Sequence, residues 1–222
     1  MSDYQVIRVS ILPFGLVNAH IVKGPNGCIL VDAGLPGSEK KIEASLKANG
    51  LTFKDIKLIV ITHAHVDHAG TAAKIRRLSG APIVANEGDL KYYLRKEPMS
   101  FCSTGWFGRL FIKTGLMFEP YEAFTPDILL TEGQTLDLKP YGLNGQVQHS
   151  PGHTGGSISV NLDSQQALVG DLLASGILLG GIMFTDRPKR PPFEDNPIAV
   201  AKQLQQLINN GAQDFYMGHG GH

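Results

Sequence analysis

An α/β layered domain is the fold class this sequence predicts, and three observations carry it. Short apolar, strand-like runs alternate with stretches of helical periodicity. Glycine-rich turn signals join neighbouring runs as hairpins. The 222 residues are 42% hydrophobic, enough for a sizeable core and too much for a disordered chain. No internal repeat and no Pro/Gly/Ser-rich linker divides the chain, so residues 1–222 read as a single domain.

The elements follow in order. Residues 4–11 alternate in polarity as a half-buried strand does. Runs at 20–23 and 28–31 flank Gly24-Pro25-Asn26-Gly27, a hairpin turn. Ser38 is placed to cap a helix over 39–48, with Ile42 and Leu46 on one face and Gly50 as its stop. Residues 58–61 form a continuous apolar run, a buried strand. A helix over 71–78 ends at Gly80, a strand covers 82–85, and residues 89–96 read as helical. Further strands fall at 134–138, 145–149, 157–162 and 167–169. Asn196-Pro197 opens a helix to residue 209, because proline suits the first helical position. Val200, Leu204, Leu207 and Ile208 are its expected inward face and Gly211 its stop; residues 215–217 make the last strand. The segment 101–124 differs: it holds seven of the chain's 17 aromatic residues and is broken by glycines and prolines, so it is not a regular core element.

Composition removes several function classes. Twenty Lys and Arg balance twenty Asp and Glu, without the basic footprint of a nucleic-acid binder. Two cysteines, Cys28 and Cys102, make neither a disulfide framework nor a thiolate metal site. The N-terminus lacks the charged start and apolar block of a secretory signal, and no stretch nears the ~20 apolar residues of a membrane span. The expectation is a cytoplasmic protein with a small-molecule substrate and no nucleic-acid or membrane partner.

The histidines carry the chemistry. Thr62-His63-Ala64-His65-Val66-Asp67-His68 directly follows the apolar run 58–61. Side chains two apart on an extended chain share a side, so His63 and His65 can converge on one cation. Asp67 and His68 follow where the chain turns, and can aim at a second. Imidazole and carboxylate together suit zinc, with iron or manganese as alternatives. His153 lies in the turn Ser150-Pro151-Gly152-His153-Thr154-Gly155-Gly156; Asp171 follows a strand, and His219 sits in Gly218-His219-Gly220-Gly221 just past the last strand. His149 and His20 read as structural residues, and His222 as an exposed terminus.

His63-x-His65-x-Asp67-His68, then His153, Asp171 and His219, together with Val31-Asp32-Ala33-Gly34, resemble the ordered motifs of the metallo-β-lactamase-fold hydrolases over nearly the whole chain. The resemblance implies an αββα sandwich of two mixed sheets, helices on the outer faces, and metals at one edge between the sheets. It implies two divalent metal ions per chain, zinc foremost and iron or manganese as alternatives. His63, His65 and His153 would hold the first, Asp67, His68 and His219 the second, and Asp171 would bridge. Asp32 would orient a ligand by hydrogen bonding, or else simply cap its turn.

That resemblance implies a dinuclear hydrolase of the glyoxalase II and lactonase-like branch. A metal-bound hydroxide, oriented by Asp67, would attack the acyl carbonyl of a thioester, lactone or ester of a small apolar substrate. The quorum-signal lactonases commonly carry tyrosine three residues after the bridging aspartate, where this chain has Ala174. The alternatives are a persulfide-dioxygenase-like oxidoreductase with one iron on His63, His153 and Asp171, and β-lactamase-like or phosphodiesterase activity. Segment 101–124 would supply an apolar lid or pocket wall through Trp106 and Phe107, opposed by Phe14, or else a homodimer contact.

Overall fold

The computed structural model describes residues 4–177 and 183–221; His222, expected as an exposed terminus, lies outside them. The first sheet runs β1 (Gln5–Leu12), β2 (Val17–Gly24), β3 (Gly27–Val31), β4 (Ile56–Val60), β5 (Ile83–Asn86) and β6 (Ile128–Leu130), in that spatial order. β1 to β3 are antiparallel hairpins, and β3 to β6 are parallel. Parallel neighbours need crossovers. These carry α1 (Glu39–Ala48), α2 (Val66–Ala69) with α3 (Ala72–Ser79), and α4 (Leu90–Tyr93) with α5 (Trp106–Phe111).

The second sheet begins with β7 (Thr135–Asp137), β8 (Gly145–His149), β9 (Ile158–Leu162) and β10 (Gln166–Gly170), all antiparallel. A small ribbon of β11 (Ala174–Ser175) and β12 (Pro188–Lys189) and the helix α6 (Pro197–Asn209) follow. Then β13 (Asp214–Met217) joins β10 in parallel at the sheet edge.

Strand alternation assigns the layers. On β3, Cys28 and Leu30 cluster with Ile42 and Leu46 of α1 and Ile75 of α3. Their neighbours Ile29 and Val31 cluster with Val147, Val160 and Leu168 of the second sheet. On β10, Ala167 and Val169 turn the other way, onto Val200 and Leu207 of α6. Burying each such Val, Leu or Ile contributes roughly 1.5–3 kcal/mol. Three apolar interfaces thus separate four layers, an αββα sandwich.

Several local expectations change. The Ser38 side chain makes no capping bond; its backbone N–H donates to Thr71 Oγ1 at 3.2 Å, tying α1 to the start of α3. The helix expected over 89–96 shrinks to Leu90–Tyr93 behind a 3-10 turn at Glu87–Asp89. Ile208 is 53% exposed, because the buried stripe of α6 is narrow and Val200 and Leu207 fill it. The sequence reading omits β6, β11, β12 and α2, which are two to four residues long and show no period to read.

Candidate metal centre

The parallel register positions the site. Val31 pairs with Val60, so Asp32 and Thr62 leave the first sheet side by side, and the Asp32 backbone N–H donates to Val60 O at 2.8 Å. In the second sheet Gly170 pairs with Met217, so Asp171 and His219 leave together, and the Gly218 N–H donates to Gly170 O at 2.9 Å. Asn18, at the start of β2, ties the two edges together: its N–H donates to Gly218 O at 2.8 Å and its side-chain amide to Gly220 O at 3.0 Å.

Two groups of side chains meet there, both buried. His63, His65, His153 and Asp171 form one; Asp67, His68 and His219 form the other. His63 Nε2, His65 Nδ1 and His153 Nε2 stand 2.9, 3.1 and 3.2 Å apart. Three nitrogens at ~2.0–2.1 Å from a tetrahedral zinc would be about 3.3 Å apart, so this spacing suits one ion. Asp171 lies between the groups: Oδ2 is 3.6 Å from His153 Nε2 and 3.1 Å from His219 Nε2, and Oδ1 is 3.4 Å from His68 Nε2. Asp67 Oδ2 is 3.3 Å from His219 Nε2. Asp67 Oδ1 and His68 Nε2 are buried without a hydrogen-bond partner, a costly state that a cation would relieve.

Three of the far ring nitrogens are anchored by protein, those of His68, His63 and His219. His68 Nδ1 donates to Asp32 Oδ2 at 2.8 Å, which turns Nε2 inward. Asp32 Oδ1 accepts from Thr62 N–H at 2.8 Å and from the Thr62 hydroxyl at 2.9 Å, while Thr62 Oγ1 lies 3.0 Å from His63 Nδ1. One carboxylate therefore orients a histidine of each group. His219 Nδ1 donates to Leu16 O at 2.5 Å. A Cβ at Gly218 would collide with Asp171 Oδ1 and His68 Cε1, so glycine is required there for close approach.

Electrostatics separate the two groups. Burial holds His63 and His65 well below the ordinary imidazole value, and neighbouring rings add to this; burial lowers His153 too. These rings are neutral, with lone pairs to offer. Burial also opposes charge on His68, but Asp171, Asp32 and Asp67 outweigh it and hold that ring well above the usual value. His219 rises to about 10 for the same reason, through Asp171 and Asp67. Burial works against ionising Asp67 and Asp171, yet the nearby imidazoles hold both below the usual carboxylate range. Protons thus balance the second group's carboxylates, and a cation entering it must displace them.

Asp89 is a positioning residue that the sequence reading places only at a helix start. It is fully buried; Oδ2 accepts from Ala64 N–H at 3.0 Å and Thr154 Oγ1 at 2.8 Å, and Oδ1 from Gly156 N–H at 2.9 Å. It clamps the loop of His63 and His65 to the loop of His153. Its signal is present in the sequence: like the other functional residues, it follows a strand end. His149 Nε2 donates to Gly155 O at 2.9 Å across the same glycine-rich turn. His20 is buried, with its ring 5.7 Å from Tyr216.

A cavity of about 340 Å³ opens onto His65, Asp67, Asp171 and His219. Its walls are Leu12, Leu16, Leu35, Phe111, Met117 and Phe193 among others, and among the described residues Glu119 is the one charged wall residue besides those of the two groups. Phe101 packs on the His65 ring at 4.7 Å. Segment 101–124 does supply wall residues, but through different side chains from those expected. Phe14 is 71% exposed and Trp106 73% exposed, and neither they nor Phe107 line this cavity. α5 crosses the chain at Pro192, so it turns Phe111 toward the metal residues and Trp106 and Phe107 toward a separate groove.

The sequence profile of the metallo-beta-lactamase superfamily matches residues 12–219, and the chain belongs to that superfamily. A probable metallo-hydrolase of Methanocaldococcus jannaschii is 28% identical over 160 residues, which cover 72% of this chain and 69% of the relative. The hydroxyacylglutathione hydrolase GloC of Haemophilus influenzae is 29% identical over 168 residues, 75% of this chain and 69% of that protein. A metallo-beta-lactamase family protein from Thermus thermophilus shares the fold, with a TM-score of 0.66 and 24% identity over 98% of this chain and 73% of its own. Family and relatives make the chain a metallo-hydrolase whose His and Asp groups suit divalent metal. Among the described residues, no helix is long and apolar enough to cross a membrane.

Proposed function

We propose that the chain is a dinuclear, zinc-dependent hydrolase acting on the acyl carbonyl of a thioester, lactone or ester with a small apolar acyl part. The observation that carries this reading is the pair of convergent ligand groups sharing Asp171 at the base of an apolar cavity. Cations bound there would supply hydroxide near neutral pH and a Lewis acid for a carbonyl oxygen. His63, His65 and His153 would hold one cation, Asp67, His68 and His219 the other, and Asp171 would reach both. Asp67 Oδ1, buried and unpartnered, would accept a hydrogen bond from the attacking water and orient it. Water adds to the carbonyl carbon, the C–S or C–O bond breaks, and the products are a carboxylate, a proton and a thiol or alcohol. Leu12, Leu16, Phe111 and Phe193 exclude solvent from the acyl group, and Glu119 disfavours an anionic one. The relative named as a hydroxyacylglutathione hydrolase supports acyl chemistry.

A single iron on His63, His153 and Asp171 would leave a second buried group of three ligand-type side chains, Asp67, His68 and His219, without an ion, which favours two ions. Metal analysis of the purified protein tests the reading, combined with a panel of thioesters, lactones, esters, phosphodiesters and β-lactams. Two zincs per chain and chelator-sensitive acyl hydrolysis are expected. One iron with oxygen uptake, or turnover that survives chelation, would sink it.

A further inference from the structure

A groove of about 480 Å³ lies outside the metal site. One wall is Trp106 and Phe107 of α5; the other is Phe184, Arg187, Lys189 and Arg190. That volume lies within the ~300–1,000 Å³ of small-molecule clefts. The cations differ in what satisfies them. Arg190 is spent on Glu194, at 2.6 and 2.8 Å. Arg187 lies 4.8 Å over the Phe184 ring, and neither it nor Lys189 has a carboxylate within ion-pair distance among the described residues. Lys189 is half-buried on β12, where desolvation lowers its ammonium pKa. A half-buried cation with no counter-charge favours an incoming anion. Trp106, 73% exposed beside these cations, offers a flat face for a planar ring.

The groove is joined to the metal residues. β11 begins three residues after Asp171, and Ser175 N–H donates to His219 O at 3.2 Å. Ser175 Oγ accepts from Gly221 N–H at 2.8 Å. Pro192 lines both cavities, and the Phe107 and Phe111 rings stack at 5.8 Å, one facing each space. The acyl cavity and the groove therefore adjoin at Pro192, which is common to both rims.

We propose that this groove seats the carrier half of the substrate, a phosphorylated, nucleotide-like group whose planar ring stacks on Trp106 and whose phosphates meet Lys189 and Arg187. This rests on the acyl-hydrolase reading and narrows its substrates to acyl thioesters of a nucleotide-bearing carrier. Trp106 is the chain's only tryptophan, so its emission reports the groove without any turnover.

The test is titration of the metal-loaded protein with coenzyme A, followed by Trp106 fluorescence. Saturable quenching is expected, weakened about tenfold by Lys189→Ala or Arg187→Ala. In parallel, the same acyl group is presented on coenzyme A and on N-acetylcysteamine. Both variants should raise KM for the first ester and leave the second unchanged. No quenching, or quenching equal in wild type and variants, overturns the groove assignment. So does emission that responds to phosphatidylglycerol vesicles and not to coenzyme A. Quenching without hydrolysis of either ester would leave the groove standing and fell the hydrolase reading; hydrolysis of both at equal KM without quenching would do the reverse.

Discussion

The metal centre and the substrate rim are built on opposite principles. In the centre the functional side chains follow strand ends or a glycine-rich turn and are buried, and three of them are held by a second residue: His68 by Asp32, His63 by Thr62, His219 by Leu16. At the rim the side chains come from several short, separate segments, and Phe14, Trp106, Leu116 and Phe184 stand exposed. The difference teaches that reactive geometry is fixed by the sheets, while recognition is left to loops that can vary without disturbing it.

Removing the shared residue tests the centre most severely. Asp171→Ala should cost at least about 10³-fold in kcat/KM and lower the metal content in elemental analysis. Full occupancy with near-normal activity would mean that Asp171 bridges nothing. Asp32→Asn comes next. Asp32 has φ of 63°, a conformation asparagine tolerates, so the backbone is unstrained. Asparagine cannot accept on both oxygens, however, and the loss of orientation should cost about 10–100-fold in metal affinity or activity. Unaltered metal titrations would show that Asp32 only caps its turn.

Asp89→Asn should act on stability, by about 1–3 kcal/mol, because one of its three accepted hydrogen bonds becomes a clash of donors. Burial raises the Asp89 carboxyl to about 6, above its usual value near 3.9. The native state binds this proton more tightly than the unfolded chain does. Its contribution to stability is complete below about pH 3.9 and is lost as pH rises through about 6. The Tm gap between wild type and Asp89→Asn should therefore be wider at about pH 5 than at about pH 7.5, and a calorimetric series finding the reverse would contradict this. The smallest effects belong to the rim. Phe111→Ala should raise KM for a compact apolar ester roughly 3–10-fold, while Trp106→Ala leaves it unchanged. Equal responses would erase the distinction between cavity and groove.

The two regions also differ in how much their sequence discloses. The centre is legible because four ligand-type residues crowd into six positions behind an apolar run, and the rest follow strand ends in order. The layered fold is legible because short apolar runs alternate with stretches of helical periodicity and glycine-rich hairpin turns. The rim is not: Leu12, Leu16, Phe111 and Phe193 belong to separate segments, and no periodicity says which of many aromatics turns inward. Trp106 and Phe107 have the composition of a pocket wall, but the crossing at Pro192 decides which space they face. Asp89 escapes for a related reason, since its three donors come from two loops distant in sequence.

Asn18 bonds the strand edges of the two sheets directly, and the ligand groups draw on both sheets as well. A cation held by His63 and Asp171, or by His68 and His219, would act as a rivet between halves of the sandwich. Only the folded chain assembles that rivet. Metal at 1,000 times its dissociation constant would add about 4 kcal/mol to folding, comparable with the whole margin of many domains. The supply of metal would then govern how long each molecule survives, as well as how fast it works.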